Sequence, residues 1–221
     1  PAVLTFREHP LAVLAPAKAP PLLMTCADRL AFLAARTGGR IVALDFDRTL
    51  AAVPAGDFAD SLRVRFPGLD RIFCGANWHF GADGRGNAAL LRACGFDVVV
   101  VPFAEYRGVK ISSTRVRLAV QRGELDAAAA MLGRPFTMCG PVVKGKGLGR
   151  SLGFPTANLV PAPGLVLPPF GAYSVRVDGR GYGVANLGLA PTLGERAWTS
   201  PTLEVHFFDD PGDLSGSALA V

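Results

Sequence analysis

The most constraining feature of this sequence is a change near residue 133 in the pattern of predicted strands and helices. Four strand-like apolar runs alternate with helical patterns before that point: residues 2–6, 41–46, 71–75 and 97–103. Alternating strands and helices are typical of a parallel sheet in an α/β domain. After Gly133-Arg134-Pro135, short strand-like runs follow one another with only glycine, proline and aspartate between them. This second pattern predicts a small antiparallel barrel.

Helical periodicity and turn signals complete this division. The predicted helices cover residues 28–37, 56–66, 87–94, 113–122 and 124–132. The segment YSVRV-DGRG-YGVAN predicts a hairpin that turns at Asp178-Gly179. We therefore predict an α/β domain over residues 1–133 and an antiparallel barrel over residues 134–221.

Composition excludes some classes of function. The most apolar candidate for a membrane span, Leu11 to Met24, contains Lys18 and three prolines, so we interpret it as a loop. The net charge of +5 is spread along the chain without a basic block, and we expect neither a nucleic-acid nor a membrane partner. Four scattered cysteines without a C-x-x-C pair favour free thiols in a reducing cytoplasm.

The segment GPVVKGKGLGRSLGFPTANL begins like a phosphate-binding P-loop. Residues 140–146 fit the spacing G-x-x-x-x-G-K, but Gly147 stands where a P-loop has Ser or Thr. A P-loop also needs a helix that starts at its lysine. Gly149, Gly153 and Pro155 follow too closely for such a helix. The segment is therefore not a P-loop.

The same segment still has the chemistry of a nucleotide site. Its glycines allow the backbone to approach a phosphate closely, and Lys146 and Arg150 supply positive charge. Thr156 and Asn158 are two residues apart, so on an extended strand their oxygens face the same side and could share one Mg²⁺. An ordinary glycine-rich corner of a barrel would have similar residues, and spacing alone does not decide between the two.

Three motifs in the second domain resemble the riboflavin kinase family. They are GRSLGFPTANL (149–159), GVANLGLAPTL (183–193) and LEVHFFD (203–209). The resemblance covers residues 134–221 and implies ATP-dependent phosphorylation of riboflavin to FMN with Mg²⁺.

The resemblance also implies roles for particular residues. Gly145, Arg150 and Thr156 would lie along the ATP phosphates, and Thr156 and Asn158 would hold Mg²⁺. Glu204 would be the general base that accepts the proton of the riboflavin 5′-hydroxyl. From the alternation of its strand alone, Glu204 could equally be an ordinary solvent-facing residue.

The first domain resembles the FMN adenylyltransferase half of the bacterial bifunctional enzymes that make FAD. The segment ISSTRVR (111–117) is similar to a nucleotidyltransferase motif. Ser112, Ser113 and Thr114 would place hydroxyl and N–H groups at a helix N-terminus, with Arg117 one turn further on. That arrangement is an anion site, and the resemblance assigns it to the nucleotide.

Two further segments carry the resemblance with departures from the family pattern. LTFREHP (4–10) has Glu8 where proline is usual. GANWHFGADGRGN (75–87) has Asn77 where the family has aspartate and His79 where it has arginine. Asn77 and Phe80 are the predicted contacts to flavin or nucleotide in this half.

Parts of the family pattern are absent from these 221 residues. The H-x-G-H motif of the adenylyltransferase is expected before Pro1, and the kinase half is expected to continue after Val221. We therefore expect a piece of a longer protein, with both domains incomplete and an adenylyltransferase half that is inactive by itself.

Two alternative functions stay open at this point. One is a remnant that binds flavin or nucleotide without catalysis. The other is a phosphatase of the haloacid dehalogenase type, because LDFDRTL (44–50) resembles the D-x-D-G-T motif of that class. Arg48 replaces the glycine of that motif, and no convincing downstream lysine and acidic pair follows, so we disfavour the phosphatase.

Overall fold

The computed structural model describes residues 1–143, 156–189, 201–214 and 216–221. The chain forms two compact units. The first consists of Pro1–Pro20 and Phe32–Ile111, and the second of Pro21–Ala31 and Ser112–Val221. In the described ranges, no helix has both the length and the apolar character that crossing a membrane requires.

The strands of the first unit form parallel pairs. Strand β1 (Ala2–Phe6) pairs with β2 (Arg40–Leu44), and β3 (Arg71–Gly75) pairs with β4 (Asp97–Val101), each in parallel. Helical segments separate the two strands of each pair in sequence, as a parallel connection requires. The prediction of an α/β region with parallel strands is confirmed.

A short hairpin follows these pairs, and it has no counterpart in the sequence-based prediction. It joins β5 (Glu105–Tyr106) to the antiparallel β6 (Val109–Lys110). Arg107 and Gly108 at its tip both have positive φ, 54° and 70°. Positive φ at both central residues is the geometry of the type I′ turn, whose twist matches that of paired strands.

Three of the five α-helices in the first 111 residues, at 26–37, 55–65 and 88–93, lie close to the predicted ranges, and the other two were not predicted. The five helices are α1 (Pro10–Leu14), α2 (Cys26–Thr37), α3 (Arg48–Ala51), α4 (Ala55–Arg65) and α5 (Ala88–Ala93). Helix α1 corrects the interpretation of residues 11–24 as a loop. Pro10 occupies a first-turn position, where its missing N–H costs nothing, and the ring nitrogen of His9 accepts a hydrogen bond from the Leu11 N–H at 3.1 Å.

The core of the first unit lies among α4, α5, β3 and β4. Its buried side chains are Phe58, Ala59, Leu62, Cys74, Phe80, Leu91, Phe96 and Val98. Phe58, Ala59 and Leu62 lie on one face of α4, at the spacing that an amphipathic helix buries.

Within its described residues, the second unit contains the N-terminal part of α2 (26–31), two complete helices and a six-stranded antiparallel sheet. The complete helices are α6 (Ser113–Gln121) and α7 (Leu125–Leu132). The strands are β7 (Cys139–Val143), β8 (Thr156–Leu159), β9 (Gly171–Val177), β10 (Gly181–Leu189), β11 (Pro201–Phe207) and β12 (Ala218–Ala220). In space their order is β12-β7-β8-β11-β10-β9.

The two edges of this sheet approach each other at one end. Just beyond β9, the Asp178 N–H donates a hydrogen bond to the Ala220 carbonyl of β12 at 3.0 Å.

The predicted hairpin between β9 and β10 is confirmed, with Asp178, Gly179 and Arg180 between the paired residues Val177 and Gly181. Gly179 has a φ of 71°, which glycine adopts without steric cost.

Alternation along the strands separates the two faces of the sheet. The side chains of one face form the core of the second unit: Met138, Ala157, Leu159, Val177, Ala185, Leu187, Leu203, Val205, Phe207 and Leu219. The side chains of the intervening residues point to the opposite face, which we call the outer face. Because the inner residues are packed, the positions on the outer face are held by a rigid backbone.

The compact units differ in extent from the predicted domains. Helices α6 and α7 belong to the second unit, whereas the predicted boundary at residue 133 assigned them to the first domain. That boundary concerns where one catalytic half ends and the next begins, and it stays a prediction.

Candidate functional site

The outer face of the sheet carries a row of residues centred on Glu204. Glu204 on β11 is directly opposite Asn158 on β8 and, on its other side, directly opposite Asn186 on β10. Val143 of β7 and Ala172 of β9 extend the row beyond the two asparagines. Directly opposite side chains in an antiparallel sheet are neighbours, with Cβ atoms about 4.5–5.5 Å apart. The sheet therefore places a carboxylate between two amides.

A second row runs beside the first. It contains Thr156, His206, Val184 and Ser174, in the order of their strands. His206 Nε2 lies 3.9 Å from Glu204 Oε1, and the two side chains are 44% and 43% exposed. Both remain accessible to a ligand from solvent. Leu203 and Val205, between and beside them in sequence, are buried in the core, as the alternation of the strand predicts.

The strand ends beside this site are those that flank the glycine-rich segment. Strand β7 ends at Val143, opposite Asn158, and β8 begins at Thr156. The predicted phosphate contacts Gly145 and Arg150 lie between these strands in sequence, outside the described residues.

The donor atoms of the site suit Mg²⁺ bound to a nucleotide. Thr156 and Asn158 lie on the same face of β8 and offer a hydroxyl and an amide oxygen. Over the described ranges, no group of three or more His, Cys, Asp and Glu side chains could hold a metal ion by itself. Mg²⁺ typically binds through one or two protein oxygens, with phosphates and water completing its shell. The residues present therefore fit an ion that arrives with ATP.

The predicted anion site of the adenylyltransferase half lies at the start of α6, in the second unit. Ser112 is the N-cap, and its Oγ accepts a hydrogen bond from the Arg115 N–H at 3.3 Å. Ser113 and Thr114 are exposed in the first turn. The predicted Ser/Thr cap is confirmed, and the hydroxyl groups of the first turn are accessible.

Arg117 is held differently from a freely mobile surface arginine. Its Nε donates a hydrogen bond to the Pro21 carbonyl at 2.5 Å, and the side chain is partly buried. Burial lowers the pKa of the guanidinium from its ordinary value, because desolvation disfavours the charged form. The Pro21 carbonyl fixes one edge of the planar guanidinium, so the orientation of the group is set before a ligand binds.

The other predicted residues of the adenylyltransferase half belong to the first unit. Asn77 is exposed in the loop after β3. Phe80 is 7% exposed, stacks against Trp78 at a ring separation of 4.7 Å and packs on Phe58. In this structure Phe80 therefore supports the loop from the core side.

The acidic residues of the phosphatase-like motif have structural roles. Asp45 is 80% exposed and pairs with Arg7, with 3.1 Å between Oδ1 and Nε. Asp47 caps α3 and accepts the Leu50 N–H at 2.7 Å. Glu8, where the family has proline, accepts the Phe46 N–H at 3.2 Å. The contacts of Asp45 and Glu8 connect the residues that follow β1 to those that follow β2, and the contact of Asp47 stabilises the start of α3.

One residue of the site received no role from the sequence. Asn186 stood inside a recognised motif, but only strand pairing brings it beside Glu204. The available signal was alternation, since Asn186 is a polar residue between the buried Ala185 and Leu187.

Comparison with known proteins agrees with this division of motifs. A family model described as FAD synthetase matches residues 1–115, and one described as riboflavin kinase matches residues 132–221. A bifunctional riboflavin kinase/FMN adenylyltransferase of Escherichia coli K12 is 38% identical over 227 residues, which cover 99% of this chain and 71% of the relative. One with the same name from Bacillus subtilis is 29% identical, with 100% and 72% coverage.

A solved structure shares the fold. A crystal structure from Streptococcus pneumoniae, described as a macrolide-efflux protein, superposes with a TM-score of 0.80 at 31% identity. It covers 99% of this chain and 72% of that one. Both family models and the curated relatives agree on a different activity, so we take only the fold from this likeness. The chain belongs to the family of bifunctional riboflavin kinases and FMN adenylyltransferases.

Proposed function

We propose that the part of the chain formed by residues 134–221 transfers the γ-phosphoryl group of ATP to the 5′-hydroxyl of riboflavin, with Glu204 as the general base. The observation that carries this proposal is the direct pairing of Glu204 with Asn158 across β11 and β8. Phosphoryl transfer needs a group that accepts the hydroxyl proton next to a group that organises the phosphates. The two side chains are neighbours on the outer face.

Each residue of the site has a separate role in this proposal. Thr156 and Asn158 would hold Mg²⁺ against the ATP oxygens, where the ion would neutralise the charge of the transferring group. Gly145 and Arg150 would lie along the phosphates. Glu204 accepts the proton of the 5′-hydroxyl through a carboxylate oxygen as that hydroxyl attacks the γ-phosphorus and ADP leaves with the bridging oxygen. The six-stranded sheet, which belongs to a closed barrel in this proposal, keeps both rows in place.

The part formed by residues 1–133 would act in the second reaction of FAD synthesis, adenylylation of FMN. Ser112, Ser113 and Thr114 would bind nucleotide phosphate through their hydroxyl and N–H groups, with Arg117 beside them. Asn77 and Phe80 would lie at the flavin or nucleotide. The exposed first turn of α6 and the fixed direction of Arg117 support this assignment.

The partners in this proposal are small molecules, namely riboflavin, FMN and ATP. The proposed compartment is the cytoplasm, which is a reducing environment. Its support is that Cys26, Cys74, Cys94 and Cys139 are all free thiols.

The decisive experiment measures FMN formation from riboflavin and MgATP by the full-length protein. In the Glu204→Gln variant, kcat should fall by about 10²-fold or more with little change in the KM for ATP, since general-base catalysis contributes about 10²–10⁴. The matched control is Asp45→Asn, which should leave FMN formation intact because Asp45 forms an exposed ion pair.

Other outcomes would favour the alternatives. Near-normal turnover in Glu204→Gln would remove Glu204 from the role of base. Binding of riboflavin without FMN formation by the unmodified protein would indicate a binding remnant. Loss of a phosphate-releasing activity in Asp45→Asn would indicate the phosphatase.

A further inference from the structure

The two amides beside Glu204 lie in different surroundings. Asn158 is on the strand that begins directly after the glycine-rich segment, next to Thr156 and opposite Val143. Asn186 is on the other side of Glu204, and its further neighbour is Ala172. The proposed phosphate machinery therefore occupies one side of the carboxylate, and Asn186 occupies the other.

The geometry of phosphoryl transfer indicates on which side of Glu204 the acceptor lies. A general base must lie within about 2.6–3.2 Å of the hydroxyl whose proton it accepts, so the 5′-oxygen of riboflavin belongs over Glu204. The attacking and leaving oxygens are roughly in line with phosphorus. With ATP on the Asn158 side, the carbon chain of the acceptor has to leave Glu204 in the opposite direction, towards β10.

Asn186 is the first polar side chain in that direction. Neighbouring strands are about 4.7–4.9 Å apart. In a polyol, the hydroxyl oxygens on adjacent carbons are separated by roughly this distance or less. An amide both donates and accepts hydrogen bonds, which suits a hydroxyl group. We infer that Asn186 is a specificity-determining residue that binds the ribityl 4′-hydroxyl of riboflavin. This inference rests on the kinase function proposed above.

The residues around Asn186 leave room for the rest of the acceptor. Its cross-strand neighbour Ala172 has a small, exposed side chain, and Gly188 follows two positions later on the same face. A chain of hydroxyl-bearing carbons could therefore continue past Asn186 without meeting a large side chain at either position.

The test compares two acceptors with two proteins. Riboflavin and 4′-deoxyriboflavin are offered to the full-length protein and to its Asn186→Ala variant. We expect the variant to lose about tenfold in kcat/KM for riboflavin, as for one lost hydrogen bond in a binding site. It should lose little for the deoxy compound, which lacks the partner hydroxyl. The KM for MgATP should not change.

Equilibrium binding gives a second measurement that is independent of turnover. Quenching of flavin fluorescence without ATP should show weaker binding of riboflavin, and unchanged binding of the deoxy compound, in Asn186→Ala. The variant Asn186→Thr replaces the amide with a hydroxyl, which can also donate and accept a hydrogen bond, on a residue that strands favour, and it should recover part of the loss. The unmodified protein should itself discriminate between the two flavins by about tenfold, which tests the inference even if Asn186→Ala folds poorly.

The results separate this inference from the kinase proposal. Equal losses for both flavins in Asn186→Ala would overturn it, because the residue would then act through Glu204 or through the fold. Unchanged kinetics for both would overturn it as well. Failure of the unmodified protein to form FMN would overturn the kinase function itself.

Discussion

Glu204 lies directly opposite Asn158 in the antiparallel pairing of β11 with β8. Residues 156–159 and 201–207 are far apart in the chain, yet this register makes the two side chains neighbours on the outer face. A shift of β11 by one residue relative to β8 would turn Glu204 into the core. The buried Leu159, Leu203 and Val205 oppose such a shift, so packing on one face of the sheet maintains the site on the other.

Asn158→Ala should weaken ATP binding mainly when magnesium is present. The proposed role of the amide oxygen is to hold Mg²⁺ against the nucleotide, and removing even an indirect partner of a metal ion typically costs about 10–100-fold in affinity. Calorimetric titration with ATP, in Mg²⁺ and then in EDTA, measures the difference. The control is Ser174→Ala on β9, which lies on the same face but is separated from Asn158 on β8 by two strands, β11 and β10. Equal losses in Mg²⁺ and EDTA would mean that Asn158 supports the backbone instead of the ion.

Gly183→Ala should destabilise the second unit strongly. A Cβ atom at residue 183 would lie 2.2 Å from the His206 carbonyl oxygen, which is backbone of the paired strand. Relief would require β10 and β11 to separate, and we expect a loss of about 2 kcal/mol or more in the free energy of unfolding. Gly188→Ala on the same strand is the matched control, because its nearest atom would be 3.9 Å away. Urea denaturation of both variants measures the effect, and equal midpoints would contradict the steric argument.

Cys139 should make stability depend on alkaline pH. Burial, with a smaller contribution from Asp28, raises the pKa of the Cys139 thiol to about 11 from its ordinary 9.0. Because the pKa of the thiol is higher in the folded state, the contribution of the protonated thiol to the free energy of unfolding is complete below pH 9. This contribution is lost as the pH rises towards 11. The free energy of unfolding should therefore decrease over this range, and less so in Cys139→Ala.

A chemical measurement checks the same property of Cys139. The thiolate is the reactive form, so alkylation by iodoacetamide at pH 8 should be slow in the native protein and fast in urea. Rapid native alkylation at Cys139, located by mass spectrometry, would contradict the raised pKa.

Arg117→Lys should lower FAD formation from FMN and leave FMN formation from riboflavin unchanged. Lysine keeps the charge but loses the planar group whose orientation is fixed by its hydrogen bond to the Pro21 carbonyl. We expect a loss of about tenfold or more in the adenylyl transfer, the scale of a charged hydrogen bond. The control is Arg122→Lys at the exposed C-terminal end of the same helix. Unchanged FAD formation in Arg117→Lys would remove Arg117 from the nucleotide site.

The sequence alone determined the elements that depend on local chemistry. Strand β1 occupies the predicted residues 2–6 and β3 the predicted residues 71–75, because bounded apolar runs of this length suit a buried strand. The turn at Asp178-Gly179 follows from the conformational freedom of glycine. The motifs around Thr156 and Glu204 identified the family without any knowledge of pairing.

Local patterns were less informative where short segments depend on their surroundings. Helix α1 was missed because three prolines in residues 11–24 suggested a loop, whereas Pro10 starts a helix just before them. The hairpin at Arg107-Gly108 was missed because its strands are only two residues long. Phe80 stays a predicted ligand contact, and no local pattern showed that its ring would also pack against Phe58 and Trp78.

Only the tertiary structure decided which residues surround Glu204. Alternation predicted that Glu204 points away from Leu203 and Val205 and that Asn158 shares a face with Thr156, but no local rule predicts that β11 lies between β8 and β10. That order comes from burying the inner face of six strands in one core, a free energy that belongs to the whole sheet. The sequence therefore supplied the reacting groups, and the long-range pairing of strands supplied their order across the site.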